Sequence, residues 1–97
     1  MPTYQRLPRF DADWEKLPED RRERFRHAVR QLIEDLDAHR PFRPGLRVRR
    51  VQRTRNVFEM TFASDGRATW HDGTEIRPGE PHIVWRRIGT HDVLASP

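Results

Sequence analysis

Val57-Phe58-Glu59-Met60-Thr61-Phe62-Ala63-Ser64-Asp65-Gly66-Arg67 is the stretch on which the fold class turns. Its first half has a period of two. Phe58, Met60 and Phe62 fall on one side of a strand, and Val57, Glu59 and Thr61 on the other. Ser64-Asp65-Gly66 is a tight hairpin connection, which sends Arg67 to His71 back as a second strand. Strands joined this closely pair antiparallel, because a parallel return needs a long crossover.

Downstream, a polar loop (Asp72, Gly73, then Pro78-Gly79) leads into a last strand from His82 to Ile88. Upstream, a turn around Asn56 separates the hairpin from a strand expected over Leu46 to Gln52. Before that lies the clearest helix. Leu17-Pro18 opens it, with Pro18 in the first turn, where a missing N–H is harmless. Phe25, Ala28, Val29, Leu32, Ile33 and Leu36 form one apolar stripe, and Pro41 and Pro44-Gly45 end the pattern. Asp20–Arg24 and Arg30–Glu34 are spaced as i,i+4 ion pairs on its wet face. Asp11 is placed to cap a shorter helix containing Trp14 and Leu17. Tyr4 to Phe10 reads as a short first strand, with Pro8 at an edge or a bulge.

The order is strand, helix, helix, then three or four strands on short connections. It predicts an α+β fold: two N-terminal helices packed on one face of a mostly antiparallel four- to five-stranded sheet. Residues 1–97 suit one domain with one modest core. The other sheet face is expected to be a shallow, arginine-lined concavity.

Charge is unevenly placed. Residues 1–40 hold nine basic and nine acidic side chains, so the whole net charge of +4 belongs to the C-terminal part. Arg43, Arg47, Arg49, Arg50, Arg53 and Arg55 follow one another with no acidic residue between them. Arginine binds phosphate bidentately and stacks on bases, so this half should meet an anion. A strand ending in Arg86-Arg87 and turning at Gly89 then presents His91. A proton-transfer group beside a polycationic surface points to a phosphodiester, RNA above all. The chain has no cysteine, which excludes disulfides and cysteine-ligated zinc. No His/Asp/Glu spacing suggests a metal site, so neither metal nor cofactor is expected. No apolar run is long enough for a membrane helix and no secretory signal is visible, so a cytoplasmic location is expected.

Two segments resemble the RelE/ParE toxin superfamily, the toxin halves of bacterial toxin–antitoxin pairs. Val57 to Phe62 with Asp65-Gly66-Arg67 is similar to the strand, hairpin and arginine of its HigB-like branch. Arg87-Ile88-Gly89-Thr90-His91-Asp92-Val93-Leu94 is similar to the C-terminal Arg-x-Gly-Thr/Ser-His motif of its YafQ-like branch. The resemblance implies a type II toxin acting as an endoribonuclease on ribosome-bound mRNA, silenced by a cognate antitoxin. It makes His91 the catalytic histidine, Arg67 the arginine after the hairpin and Arg87 the arginine before the Gly-Thr-His turn. The further histidines of the YafQ-like branch have no counterpart, and the only tyrosine is Tyr4, so no general base is assigned. ParE-like relatives inhibit DNA gyrase instead. A gyrase inhibitor and a non-catalytic RNA- or ribosome-binding module therefore stay open beside the nuclease.

RNA supplies its own nucleophile, the 2′-hydroxyl, and leaves a cyclic phosphate. The protein must add proton transfer and cationic charge, which histidine and arginine provide. Arg67 and Arg87 are the expected phosphate clamps. Arg49, Arg50, Arg53 and Arg55 are expected to hold the RNA backbone. Arg86 points away from Arg87 on a regular strand, but becomes the active one if a bulge intervenes. Trp70 is a candidate base-stacking surface, whereas Trp14 and Trp85 are core candidates. His71 and His82, flanking the long loop, are alternative bases or hydrogen-bonding residues. An antitoxin is expected to lay an acidic, amphipathic segment across the arginine-rich face.

Overall fold

The hairpin forms as its alternation requires. A computed structural model describing residues 1–97 places β3 at Val57–Ala63 and β4 at Gly66–Asp72, antiparallel, with Phe58 opposite Trp70 and Met60 opposite Ala68. Asp65 takes a left-handed backbone (φ 54°) at the tip. A Cβ on Gly66 would lie 2.9 Å from the Phe62 ring, so this turn admits only glycine without displacement.

The remaining elements are β1 (Thr3–Arg6), α1 (Pro8–Lys16), α2 (Glu19–Asp37), a 3-10 turn at Pro44–Leu46, β2 (Arg49–Arg50), β5 (His82–Gly89) and a 3-10 turn at His91–Ala95. The sheet runs β1-β5-β4-β3-β2, antiparallel throughout except for β1, which lies parallel to β5. The α+β architecture of two helices against a mostly antiparallel five-stranded sheet is therefore the one expected. Phe25, Ala28 and Leu32 of α2 pack on Met60, Phe62, Ala68, Trp70, Ile83, Trp85 and Ile88 of the sheet. Val29, Ile33 and Leu36 border the same core.

Four local expectations change. The first strand stops at Arg6, and Pro8 occupies the first turn of α1 instead of a strand edge. Phe10 thereby enters the core, within 6.1 Å of the Trp14, Phe25 and Trp85 rings. Leu7 is the residue before that helix, and Asp11 sits in its first turn, where it favours the positive end of the dipole. Between Leu46 and Gln52 only Arg49 and Arg50 pair as strand, because Leu46 turns inward as a buried plug and Arg47 is left-handed.

The ion pairs of α2 also differ. Arg26 takes both Glu19 and Glu23, and Glu34 goes to Arg43. Arg43 is drawn there by Asp35, a buried carboxylate that accepts hydrogen bonds from Arg43 and Arg40. The two guanidinium groups hold the Asp35 carboxyl well below the ordinary carboxylate range. Arg24 is left without a carboxylate partner.

The sheet face away from the helices is not a bare concavity. The turn His91–Ala95 folds back against β4 and β5, and Thr69 is fully buried. Leu94 of that turn borders a cavity with Arg49, Arg50, Arg53 and Glu59.

Candidate functional site

Two long-range contacts organise the C-terminal turn. His91 follows Thr90, whose hydroxyl accepts the Asp92 amide and starts the 3-10 turn. Its Nδ1 lies 2.6 Å from Asp65 Oδ1, at the tip of the β3–β4 hairpin, and its backbone N–H points to the same oxygen. The carboxylate can only accept, so Nδ1 carries a proton and Nε2 is the nitrogen left for chemistry. Asp92 stands 3.5 Å from Nε2. The Asp65 hydrogen bond, then its charge and that of Asp92, raise the His91 pKa above its ordinary value, while Arg67 pulls the other way. The same pairing lowers the Asp65 carboxyl.

Arg67 joins this group. It lies opposite Gly89 of β5 in the ladder, two residues before His91, and opposite Thr61 of β3. Its only hydrogen bond goes to the neighbouring Gly66 carbonyl, so its charge is unpaired. Exposed His91 and Asp65 and half-buried Arg67 therefore form one cluster at the hairpin end of the sheet.

Arg87 lies elsewhere. Its guanidinium donates twice to Asp13 of α1, at 2.6 and 3.2 Å, and once to the Ser96 carbonyl. Asp13 also accepts the Ile88 amide, continuing the edge of β5 beyond the end of β1. Three of its five N–H donors are thus engaged, two by a carboxylate and one by a carbonyl.

Arg86 is the extra residue of a β-bulge. Thr69 pairs with Arg87 but the next residue, Trp70, pairs with Trp85. The bulge sends the Arg86 guanidinium to His71, with Nη1 donating to Nδ1 at 2.9 Å, and to the Pro97 carbonyl at 3.4 Å. Because arginine only donates, His71 Nδ1 accepts, and the neutral ring carries its proton on Nε2. Burial, then the Arg86 charge, lower the His71 pKa. Arg67 and His71 are four residues apart on β4, about 13 Å at strand spacing, so the two clusters are separate.

Of the arginine run, Arg49 is paired with the buried Glu59, while Arg50, Arg53 and Arg55 have no carboxylate partner. Arg49, Arg50 and Arg53 line one cavity of about 470 Å³, with Arg53 in a left-handed backbone conformation. Trp70, expected as a stacking surface, is a core side chain instead. It is 3% exposed, with its ring against Phe42, Phe58 and Trp85, because β4 alternation puts it on the helix side. His82 is likewise structural: it bonds Thr3 and Gln5 and ties β1 to β5. No three His, Asp or Glu side chains converge to hold a metal ion, and no helix is long and apolar enough to cross a membrane.

Sequence reasoning missed Asp65 as the partner of His91. The available signal was its place beside Gly66 at a hairpin tip, where a short acidic side chain projects freely. It also missed Asp13, whose partner is 74 residues away and leaves no local trace.

No protein-family model matches this chain, and no curated protein matches it by sequence. Solved structures do. The chain is similar to YafQ in the E. coli DinJ–YafQ complex, with a TM-score of 0.67 at 12% identity over 97% of this chain and 98% of that one. A second structure, the E. coli DinJ–YafQ toxin–antitoxin complex, gives 0.64 at 13% identity over 96% of each chain. YafQ alone, from E. coli strain BL21(DE3), gives 0.63 at 12% identity over 97% of this chain and 98% of that one. The architecture is thus the YafQ architecture from end to end, as the tail motif implied.

Proposed function

We propose that this chain is the toxin of a type II toxin–antitoxin pair and a metal-independent endoribonuclease acting on ribosome-bound mRNA. The observation that carries the reading is the His91–Asp65 hydrogen bond beside the unpaired Arg67, on a fold shared with YafQ.

In this reading the RNA 2′-hydroxyl loses its proton to solvent water as it attacks the adjacent phosphorus, and the P–O5′ bond breaks. His91 Nε2 gives its proton to the departing 5′-oxygen, and the products are a 2′,3′-cyclic phosphate and a 5′-hydroxyl. A raised pKa keeps His91 charged nearer neutrality, which suits an acid. Arg67 offers fixed positive charge to the phosphorane oxygens, where charge builds up in the transition state. Arg50, Arg53, Arg55 and Arg86 hold the RNA backbone, and Arg49 does so with its charge shared by Glu59. Arg87 acts as a positioning residue, tying the C-terminal segment to α1 through Asp13 and Ser96. The partner is an antitoxin, as DinJ is found with YafQ.

Induced expression should arrest translation and yield mRNA fragments ending in cyclic phosphate. His91→Ala should cost about 10² to 10⁴ in cleavage rate. Intact mRNA together with a DNA-damage response would support gyrase inhibition and refute the nuclease.

A further inference from the structure

The largest cavity of the molecule, about 610 Å³, lies beside the His91 cluster but on the helix side of the hairpin, between α2, the Pro44–Leu46 turn and β3–β4. Its volume falls within the range of small-molecule pockets, and it is open to solvent. Ala28, Leu46 and Phe62 form an apolar floor, and Arg24, Arg47 and Arg67 stand at the wall. None of these three arginines has a carboxylate within 4 Å. The two carboxylates that share the lining are already engaged: Glu23 by Arg26 and Asp65 by His91. The cavity therefore sets three arginines, none of them in an ion pair, around an apolar floor.

Two local features aim those charges inward. Arg24, Ala28 and Gln31 recur at four- and three-residue steps, so they share one face of α2. Arg47 sits at φ 49°, directly after the 3-10 turn, in a left-handed conformation that favours glycine. A strained arginine in place of the cheaper glycine suggests that the side chain is used.

We infer that this cavity is a single-strand RNA subsite, taking a base over Ala28, Leu46 and Phe62 and its phosphate on Arg24 and Arg47. Arg67, common to the cavity and the His91 cluster, links that nucleotide to the scissile phosphate. The inference rests on the nuclease reading for its choice of ligand, but it is read by binding and not by cleavage.

The test uses the full chain and a labelled RNA oligonucleotide with 2′-O-methyl groups, which cannot be cleaved. Affinity is measured across a salt series for the wild type, Arg47→Gly, Arg24→Gln/Arg47→Gly and the control Arg30→Gln. Arg47→Gly removes the charge while relieving the backbone, so it should remain folded even if the double variant does not. Each lost arginine should weaken binding about tenfold. It should also flatten the log–log salt slope by about 0.7 per phosphate contact. Arg30→Gln should leave both unchanged. Wild-type affinity and slope in Arg47→Gly would overturn the subsite, as would equal weakening by Arg30→Gln. So would a wild type that binds an acidic protein segment through this cavity but no RNA. A wild type that binds the oligonucleotide through Arg24 and Arg47 yet cleaves no RNA would uphold the subsite and overturn the nuclease alone.

Discussion

Asp13 of α1 holds Arg87 of β5 with two hydrogen bonds and accepts the Ile88 amide with the same carboxylate. One side chain thus docks the first helix, extends the edge of the sheet past β1, and fixes the arginine that clamps Ser96. Arg9 of α1 donates to the same Ser96 carbonyl. The C-terminal turn that carries His91 is therefore anchored at both ends, by Asp65 and by this arginine pair.

Asp13→Ala should lower stability by about 2 kcal/mol, because it strips charge-assisted hydrogen bonds from a half-buried guanidinium and leaves an edge amide unpaired. Urea unfolding checks this, with the midpoint falling and the slope unchanged. Cleavage should fall as well, through a mispositioned His91, and less than in His91→Ala.

His91 should titrate above the ordinary histidine value, and Asp65→Asn should bring it down, as followed by the ring proton shifts in NMR. A raised folded pKa favours the charged ring in the folded state. The stabilisation from this pair is complete below the ordinary value of about 6.5 and fades as pH rises through the folded one. Activity that needs the imidazolium should fall over the same upper range, and Asp65→Asn should shift that limb to lower pH.

Asp35 sets the acid side. Its depressed carboxyl stabilises the fold above the ordinary aspartate range, and this contribution is lost as pH falls through the folded value. Asp35→Asn should lower the neutral-pH melting temperature and flatten its acid dependence. A variant with an unchanged melting profile from neutral to acid pH would show that Arg40 and Arg43 do not depend on this carboxylate.

Thr69 is fully buried and its hydroxyl has no hydrogen-bond partner. Thr69→Val keeps the shape and removes the unsatisfied group, so it should be neutral or stabilising by about 1 kcal/mol. Leu32→Ala, at an equally buried core position, should cost about 2–5 kcal/mol. Denaturant midpoints for the two variants should move in opposite directions or only for leucine.

The hairpin, the α2 stripe and the α+β order were legible because each is a local periodicity. Phe58, Met60 and Phe62 alternate at strand spacing, and a side chain two residues on must face the same way. Gly66 and the tail motif were legible for a similar reason, since a tight turn demands particular residues in place. The strand expected over Leu46 to Gln52 was not sound, because a short run of arginine and aliphatic residues alternates equally well in an irregular segment. Pro8 was ambiguous between a strand edge and a first helical turn, as both tolerate a residue without an N–H.

By itself, then, the sequence determined which residues share a face, where the chain turns, and that a histidine follows the last strand within a basic half. Only the tertiary structure decided partners: Asp65 for His91, Asp13 for Arg87, His71 for Arg86, and the core for Trp70. The bulge at Arg86 shows why. One extra residue in a ladder reverses which of two adjacent arginines reaches a given face, and ladder register is set by the pairing of distant strands, not by either strand alone.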